Sequence, residues 1–279
     1  MTTHSSNGPN FSIIVPGNCN GHCSFCFWKK TECCPDYLDK LKEILDSMPP
    51  EFKQISLTGG EPCMSSYLKD ILKLIDKEQY PKVVLTTNGT NLYNTLGDIA
   101  EIKIIDHINI SRHHYIDGVN KKIFNSSAII NSSELLDVIE LAHQKEIDVT
   151  LNCVLTDFLY SKSALIMFIN YAKSLGADAV CFRKQHGTLE ASKQESLFEQ
   201  YPVMGTGGCP VCRTKLQKIN GVNVFWKASC SEPSKELGEM YEAIMHPDGK
   251  VTLDWAGEIE MKSMKDIALD KIGDALMAI

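Results

Sequence analysis

The sequence has no apolar run approaching the roughly 20 residues that a membrane-spanning helix needs. Its first residues, MTTHSSNGPN, are polar and hold no apolar core of the kind a secretory signal carries, so no export signal is expected. Basic charge is not in excess either: 28 Lys and Arg stand against 35 Asp and Glu, a net charge of −7. That balance argues against a protein that coats nucleic acid, whose phosphates need a basic surface, while leaving room for a local basic pocket. Internal repeats and low-complexity tracts are also missing, which sets aside repeat architectures. The 43% hydrophobic content is enough to give a 279-residue chain a single large core.

Cysteine is in excess. There are 11, an odd number, in a chain long enough to fold without disulfide staples. Disulfide frameworks belong to small exported domains. The expectation is a soluble, reducing, cytoplasmic setting, in which clustered cysteines more often hold metal than each other.

Short apolar runs alternate with amphipathic ones. Strands are expected at Phe11–Val15, Gln54–Leu57, Lys82–Leu85, His107–Ile110, Asp148–Leu155 and Ala177–Phe182. Helices are expected at Asp36–Ser47, Tyr67–Asp76, Glu134–His143 and Lys162–Leu175. Such alternation implies a parallel sheet with right-handed crossovers, either an open doubly wound sheet or a partial barrel. In both, functional residues collect at the carboxyl ends of strands. Polar signals sit at four consecutive ends: a cysteine cluster, Thr58-Gly59-Gly60, Thr86-Thr87-Asn88-Gly89 and Ser111-Arg112. Beyond about Tyr201 the character changes. A Gly-rich joint at Gly205–Gly208 precedes β-like stretches at Val222–Trp226 and Lys250–Trp255, with a turn signal at Asp248-Gly249. A closing helix is expected over Lys262–Met277. The domain reading is a polar tail at 1–10, a barrel at 11–200 and a cysteine-containing extension at 201–279.

Cys19, Cys23 and Cys26 form C-x3-C-x2-C on one loop. Three thiolates within eight residues can wrap one face of an iron–sulfur cluster and leave a fourth iron open. A zinc loop or a chance group of free thiols is the plainer alternative, but zinc would want a fourth local ligand, and His22 sits too close to Cys23 to share its metal.

This spacing, with Phe25 in an aromatic slot, resembles the cluster loop of the radical S-adenosylmethionine (SAM) superfamily, and the resemblance covers roughly residues 11–185. It implies a partial (β/α)6 TIM barrel with a small C-terminal extension over its open side. It also implies a [4Fe-4S] cluster on Cys19, Cys23 and Cys26, with SAM chelating the open iron. Gly59, Gly60 and Glu61, in a motif similar to the family's GGEP, would then meet the SAM amino group, the glycines by close backbone approach and Glu61 as acceptor. Asn88 would lie near SAM. Ser111 would reach the ribose, and Arg112 would offer its fork to the carboxylate. Asn152 and Arg183 would complete the site from the fifth and sixth strands. The reaction implied is reductive cleavage of SAM to a 5′-deoxyadenosyl radical that abstracts hydrogen from a substrate, with flavodoxin or ferredoxin as electron donor and with sensitivity to oxygen.

His113, His114 and Tyr115 follow the fourth strand and are the candidate catalytic groups, with a solvated loop as the plain alternative. Cys209, Cys212 and Cys230 form a second group that resembles the auxiliary-cluster region of MoaA-like, twitch-type members, although the final spacing is longer. An iron–sulfur cluster, zinc and plain thiols all remain open there. Cys181 is expected to share the barrel interior with Arg183, and Cys153 to face the helices. Cys33 and Cys34 could line the site mouth. The substrate expected first is a small molecule or nucleotide. Modification of a peptide side chain comes second and tRNA third, while a non-catalytic metal scaffold is the reading from another class.

Overall fold

The computed structural model describes residues 9–26, 28–99, 102–159, 161–185, 191–207, 214–227, 242–253, 255, 257 and 260–261. Six strands run in chain order: β1 (Asn10–Val15), β2 (Gln54–Gly59), β3 (Lys82–Thr87), β4 (His107–Ser111), β5 (Asp148–Val154) and β6 (Ala179–Arg183). All five pairings between them are parallel. The crossovers carry helices α1 (Tyr37–Ser47), α2 (Leu68–Leu74), α3 (Leu92–Asp98), α4 (Asp117–Phe124), α5 (Ser132–Gln144) and α6 (Lys162–Ser174).

Local chemistry sets these boundaries. Asn131 caps α5 in a reciprocal box with Glu134, and Ser161 caps α6 by accepting from the Ala164 N–H. α1 stops before Pro49, which cannot continue a helix. Two helices, α3 and α4, lie outside the expected set. α3 carries Gly97, and α4 begins five residues after the fourth strand, so neither shows a long apolar period.

Each strand alternates between two different environments. On the helix side Phe11, Ile13, Ile55, Leu57, Val83, Leu85, Ile108, Val149 and Leu151 are fully buried in one continuous core with the helices. On the inner side stand Asn10, Ser12, Gln54, Ser56, Asn109, Thr150 and Asn152, which are also buried. A sheet with helices on one face and buried polar groups on the other is the wall of a partial (β/α)6 barrel.

The described C-terminal residues extend that same sheet at both edges. β7 (Val203–Gly207), β8 (Thr214–Ile219) and β9 (Val222–Lys227) form an antiparallel meander, and β9 lies parallel to β6. β10 (Glu242–Met245) lies parallel to β1, and β11 (Val251–Thr252) folds back on it. Among the described residues the order β11-β10-β1-β2-β3-β4-β5-β6-β9-β8-β7 does not close on itself, so the barrel is open. The Asp248-Gly249 turn forms, but it joins β10 to β11 and does not pair Val222–Trp226 with Lys250–Trp255. Val222–Trp226 instead turns back on β8 through Asn220-Gly221, both at positive φ (52° and 86°). Trp226 stacks on Phe182 and Phe198 and donates to Gln217, so it is a packing residue. The expected closing helix over Lys262–Met277 lies outside the described residues.

Candidate active site

The carboxyl ends of β1, β2 and β3 converge on one junction. Gly60 lies so close to the loop after β1 that an added Cβ would fall 2.7 Å from the Asn18 carbonyl oxygen and 3.0 Å from Trp28. At Gly59, with φ of +148°, a Cβ would fall 2.8 Å from the Val15 carbonyl oxygen. Glycine is required at Gly60 by the approach of the cysteine loop, and at Gly59 by the end of β1 and a positive φ. The Glu61 N–H donates to the Asn18 carbonyl at 2.9 Å, which locks the two segments together.

Glu61 is 2% exposed. Its carboxylate accepts from the Cys63 N–H at 3.0 Å, the Thr87 hydroxyl, and the Asn88 N–H at 2.6 Å. Burial raises its pKa above the ordinary carboxylate value, and these three donors oppose the rise. The side chain expected to receive an ammonium group thus already ties the second strand end to the third. Asn88 extends the junction: its amide donates to Asn20 Oδ1 at 2.8 Å, and Asn20 donates to Thr90 at 2.9 Å.

Cys19, Cys23 and Cys26 sit on this anchored loop. Cys19 and Cys23 are half-buried and Cys26 is exposed. The Gly21 N–H donates to Cys19 Sγ at 3.3 Å, and the Cys26 N–H to the Cys23 carbonyl at 3.1 Å. Burial, then the nearby Cys26 and Cys19 thiols, push Cys23 up to about 12. Burial also raises Cys19. Clustered thiols of this kind need a strongly positive partner to ionise together. No three His, Cys, Asp or Glu side chains among the described residues converge on a single metal ion. An all-thiol donor set, spread wider than one ion requires and held on one loop, fits an iron–sulfur cluster better than zinc.

On the inner face, Ser111 pairs in register with Asn152, and Asn152 with Cys181. Arg183 follows two residues along β6 and is half-buried. The side chains of Ser111, Asn152 and Arg183 carry no hydrogen-bond partner among the described residues. Cys181 lies on this face as expected. Cys153 lies among the helix-side core, its thiol near the His113 carbonyl at 3.7 Å.

Two expectations are corrected. Arg112 is 1% exposed and turned to the helix side. Its Nε donates to the His114 carbonyl at 2.9 Å, Nη1 to the Ile130 carbonyl at 3.1 Å, and Nη2 to Asp117 and to Ser132 at 3.3 Å. Tyr171 lies beneath the guanidinium. A fork engaged on four acceptors, pointing away from the inner face, is not placed to hold a SAM carboxylate. The reason is alternation: Ser111 points inward, so Arg112 must point outward.

The second correction concerns His113 and His114, which are buried and form neither a substrate-facing group nor a solvated loop, while Tyr115 beside them is half-buried. His113 stacks on Phe124 at 4.7 Å, receives Phe25 edge-on at 5.1 Å and accepts the Val154 N–H on Nδ1 at 3.1 Å. Burial, with Arg112 nearby, lowers its pKa to about 3, so the ring is neutral. Phe25 therefore rests on His113, and the His22 N–H donates to the Phe124 carbonyl at 2.7 Å, so this aromatic stack anchors the cysteine loop. His114 stacks on Tyr115 and accepts the Ile116 N–H, and the Tyr115 hydroxyl meets Met167.

Cys33 and Cys34 are half-buried beside the β10–β11 turn, where the Cys34 N–H donates to the Pro247 carbonyl at 2.9 Å. Cys209, Cys212 and Cys230 lie outside the described residues. No described helix is long and apolar enough to cross a membrane.

These features define an α/β-barrel enzyme whose chemistry gathers at the carboxyl ends of its strands. Residues 13–159, more than half of the chain, match the model of the Radical SAM superfamily, and the chain belongs to that superfamily. It is 27% identical over 174 residues to the GTP 3′,8-cyclase of Aquifex aeolicus, covering 59% of this chain and 52% of that protein. It is also 27% identical over 143 residues to a putative glycyl-radical enzyme activating enzyme of Methanocaldococcus jannaschii, covering 50% and 51%. The chain thus spans about half the length of these curated relatives. Among solved structures, Streptococcus suis SuiB bound to its precursor peptide SuiA shares the fold, with a TM-score of 0.64 at 13% identity over 95% of this chain and 64% of that one. Native anSMEcpe with bound AdoMet and a peptide gives a TM-score of 0.59 at 16% identity over 95% and 80%. The protein is a radical SAM enzyme, and its family implies SAM and a [4Fe-4S] cluster.

Proposed function

We propose that the cluster is held by Cys19, Cys23 and Cys26, and that SAM lies between the cysteine loop and the ends of β2 to β6. The Gly60 backbone, Asn88, Ser111, Asn152 and Arg183 would contact it. When bound, the pair supplies a radical able to abstract hydrogen from an unactivated carbon. The chain's own part is to fix the loop through Gly60, Glu61 and the His113 stack, and to present substrate on the inner face.

The substrate we favour is a small polar molecule or nucleotide. The single observation that carries this is the inner face itself, where buried Asn, Ser, Thr, Gln and Lys side chains replace the apolar packing of the helix side. Modification of a peptide side chain is the second reading, because two fold neighbours were solved with peptides bound. The second cysteine group, Cys209, Cys212 and Cys230, is proposed as a further cluster or zinc site, and flavodoxin or ferredoxin as the electron donor.

The test is anaerobic turnover of reconstituted protein with dithionite and SAM. Addition of the sub-kilodalton fraction of a cell extract is expected to raise 5′-deoxyadenosine release. Stimulation by the peptide fraction alone would support the second reading instead. Iron remaining after joint Cys19→Ala, Cys23→Ala and Cys26→Ala substitution reports the second site.

A further inference from the structure

The described strands carry two cysteines that face opposite ways. Cys153 on β5 packs in the helix-side core and turns its thiol to the His113 carbonyl. Cys181 on β6 faces the interior, because Val180 and Phe182 on either side of it pack in that core. It is 6% exposed and free. Its thiol makes no hydrogen bond among the described residues, and the cluster proposed on Cys19, Cys23 and Cys26 leaves it unused.

Register puts Cys181 in the site. Ser111 pairs with Asn152, and Asn152 with Cys181, so the three form one row that runs from the carboxyl end of β4 across β5 to β6. Neighbouring strands lie about 4.8 Å apart, so Cys181 is one such step from Asn152 and two from Ser111, both proposed to touch SAM. Asn152 is 7% exposed, and its inward amide has no hydrogen-bond partner among the described residues. Thr150, two residues earlier on the same face, is buried with its hydroxyl unpartnered as well. On its other side Cys181 pairs with Phe225 of β9, half-buried and likewise turned away from the core that holds Val224 and Trp226. Buried polar groups left unpaired beside a thiol mark a place that a ligand completes.

The thiolate is the form of cysteine that attacks electrophiles and binds metals. Burial raises the pKa of Cys181 above the ordinary thiol value, with the charges of Arg183 and Lys227 opposing the rise, so the sulfur keeps its hydrogen. That makes Cys181 a poor nucleophile and a poor ligand. It leaves an S–H bond, weaker than an aliphatic C–H bond, which a carbon radical can break without any charge appearing in the interior.

We propose that Cys181 is the hydrogen-atom donor of this enzyme and returns hydrogen to the carbon radical left on the substrate. This rests on the reading of the chain as a SAM-cleaving enzyme whose substrate lies on the inner face. The substrate carbon has lost one hydrogen atom to the radical that SAM supplies. After rearranging or inverting, it takes the hydrogen of Cys181: a C–H bond forms, the S–H bond breaks, and the unpaired electron passes to sulfur. One electron from the one-electron reductant that also serves the cluster, with one proton from solvent, restores the thiol. Each turnover therefore takes two electrons and one SAM, and the product has the elemental composition of the substrate. The substrate is isomerised, not oxidised.

The test transfers the anaerobic, reconstituted full chain into heavy water and supplies dithionite, SAM and either the sub-kilodalton or the peptide fraction of a cell extract. The thiol hydrogen exchanges with solvent. One carbon-bound deuterium is therefore expected in a product of the fraction that raises 5′-deoxyadenosine release. With no fraction added, the same S–D bond is expected to label 5′-deoxyadenosine itself. Cys181→Ser keeps the size and the hydrogen-bonding of the side chain, but its O–H bond is too strong to give up a hydrogen atom, so both labels should be lost. If that variant does not fold, Cys181→Ala should lose them too. Cys153→Ala, altered on the helix side, should keep them. A second readout needs no turnover. The infrared S–H stretch that disappears in Cys181→Ser should persist in the wild type at about pH 9, above the ordinary thiol value of about 8.5. Three results would each overturn the donor and keep the enzyme: 5′-deoxyadenosine release with no deuterium in it or in any product, the same labels in Cys181→Ser, or an S–H stretch lost at about pH 9. No release from wild type with a full iron complement would remove the enzyme reading and the donor with it.

Discussion

Arg112 offers the sharpest separation between a cofactor ligand and a structural residue. Arg112→Lys keeps the positive charge and the ion pair with Asp117, but an ammonium cannot also reach the carbonyls of His114 and Ile130 and the Ser132 hydroxyl, which the guanidinium bonds at 2.9 to 3.3 Å. Three bonds to uncharged acceptors at about 1 kcal/mol each give a loss of about 3 kcal/mol. For a chain of 279 residues that corresponds to a fall of about 5 °C in the unfolding midpoint. The assay pairs anaerobic thermal unfolding with SAM titration by calorimetry. The expected outcome is a large fall in midpoint with SAM affinity within about twofold of wild type, less than 0.5 kcal/mol. An unchanged midpoint with SAM binding weakened tenfold would refute the reasoning and return Arg112 to the cofactor.

Other outcomes follow from the same geometry. Gly60→Ala drives a Cβ into the Asn18 backbone at 2.7 Å, so the cysteine loop must move. Iron content should fall and SAM cleavage slow by roughly 10²-fold, the scale of a 1 Å misplacement. Iron per chain and 5′-deoxyadenosine rates check this. His113 carries a pH signature. Its folded pKa, lowered to about 3, lies below the unfolded value of about 6.5. Between those values the unfolded chain binds the extra proton, so stability is full above about pH 6.5 and declines as the pH falls toward 3. His113→Gln, whose amide oxygen can still accept the Val154 N–H, should flatten that slope by up to one proton, read from unfolding midpoints against pH. Gly221→Ala, at a φ of +86°, should cost about 1 kcal/mol through the β8–β9 turn and leave SAM cleavage unchanged.

The barrel was legible because its signals are periodic and local. Six apolar runs, the first four ending in a polar or glycine signal, identify the parallel strands, and the structure places all six in chain order. The cysteine loop and the Gly-Gly-Glu turn were legible as neighbours, but the reason for the glycines was not. For Gly60 it lies in the contact with Asn18, forty-two positions away in the chain, and for Gly59 in the contact with Val15. The motif resemblance points Arg112 toward SAM, whereas period-2 alternation from the inward Ser111 points it outward, as the structure has it. The hairpin at Asn220-Gly221 carries the strongest short-range signal in the C-terminal part, stronger than that of Asp248-Gly249. Glu242 could not be foreseen, because β10 joins β1 across more than two hundred residues.

The central claim is that the loop bearing Cys19, Cys23 and Cys26 supports reductive cleavage of SAM. The direct measurement is 5′-deoxyadenosine released by anaerobically reconstituted wild-type protein with dithionite and SAM, beside the joint Cys19→Ala, Cys23→Ala, Cys26→Ala variant. Release by the wild type and none by the variant is expected. A wild type with a full iron complement and no release, or a variant that still cleaves SAM, would contradict it.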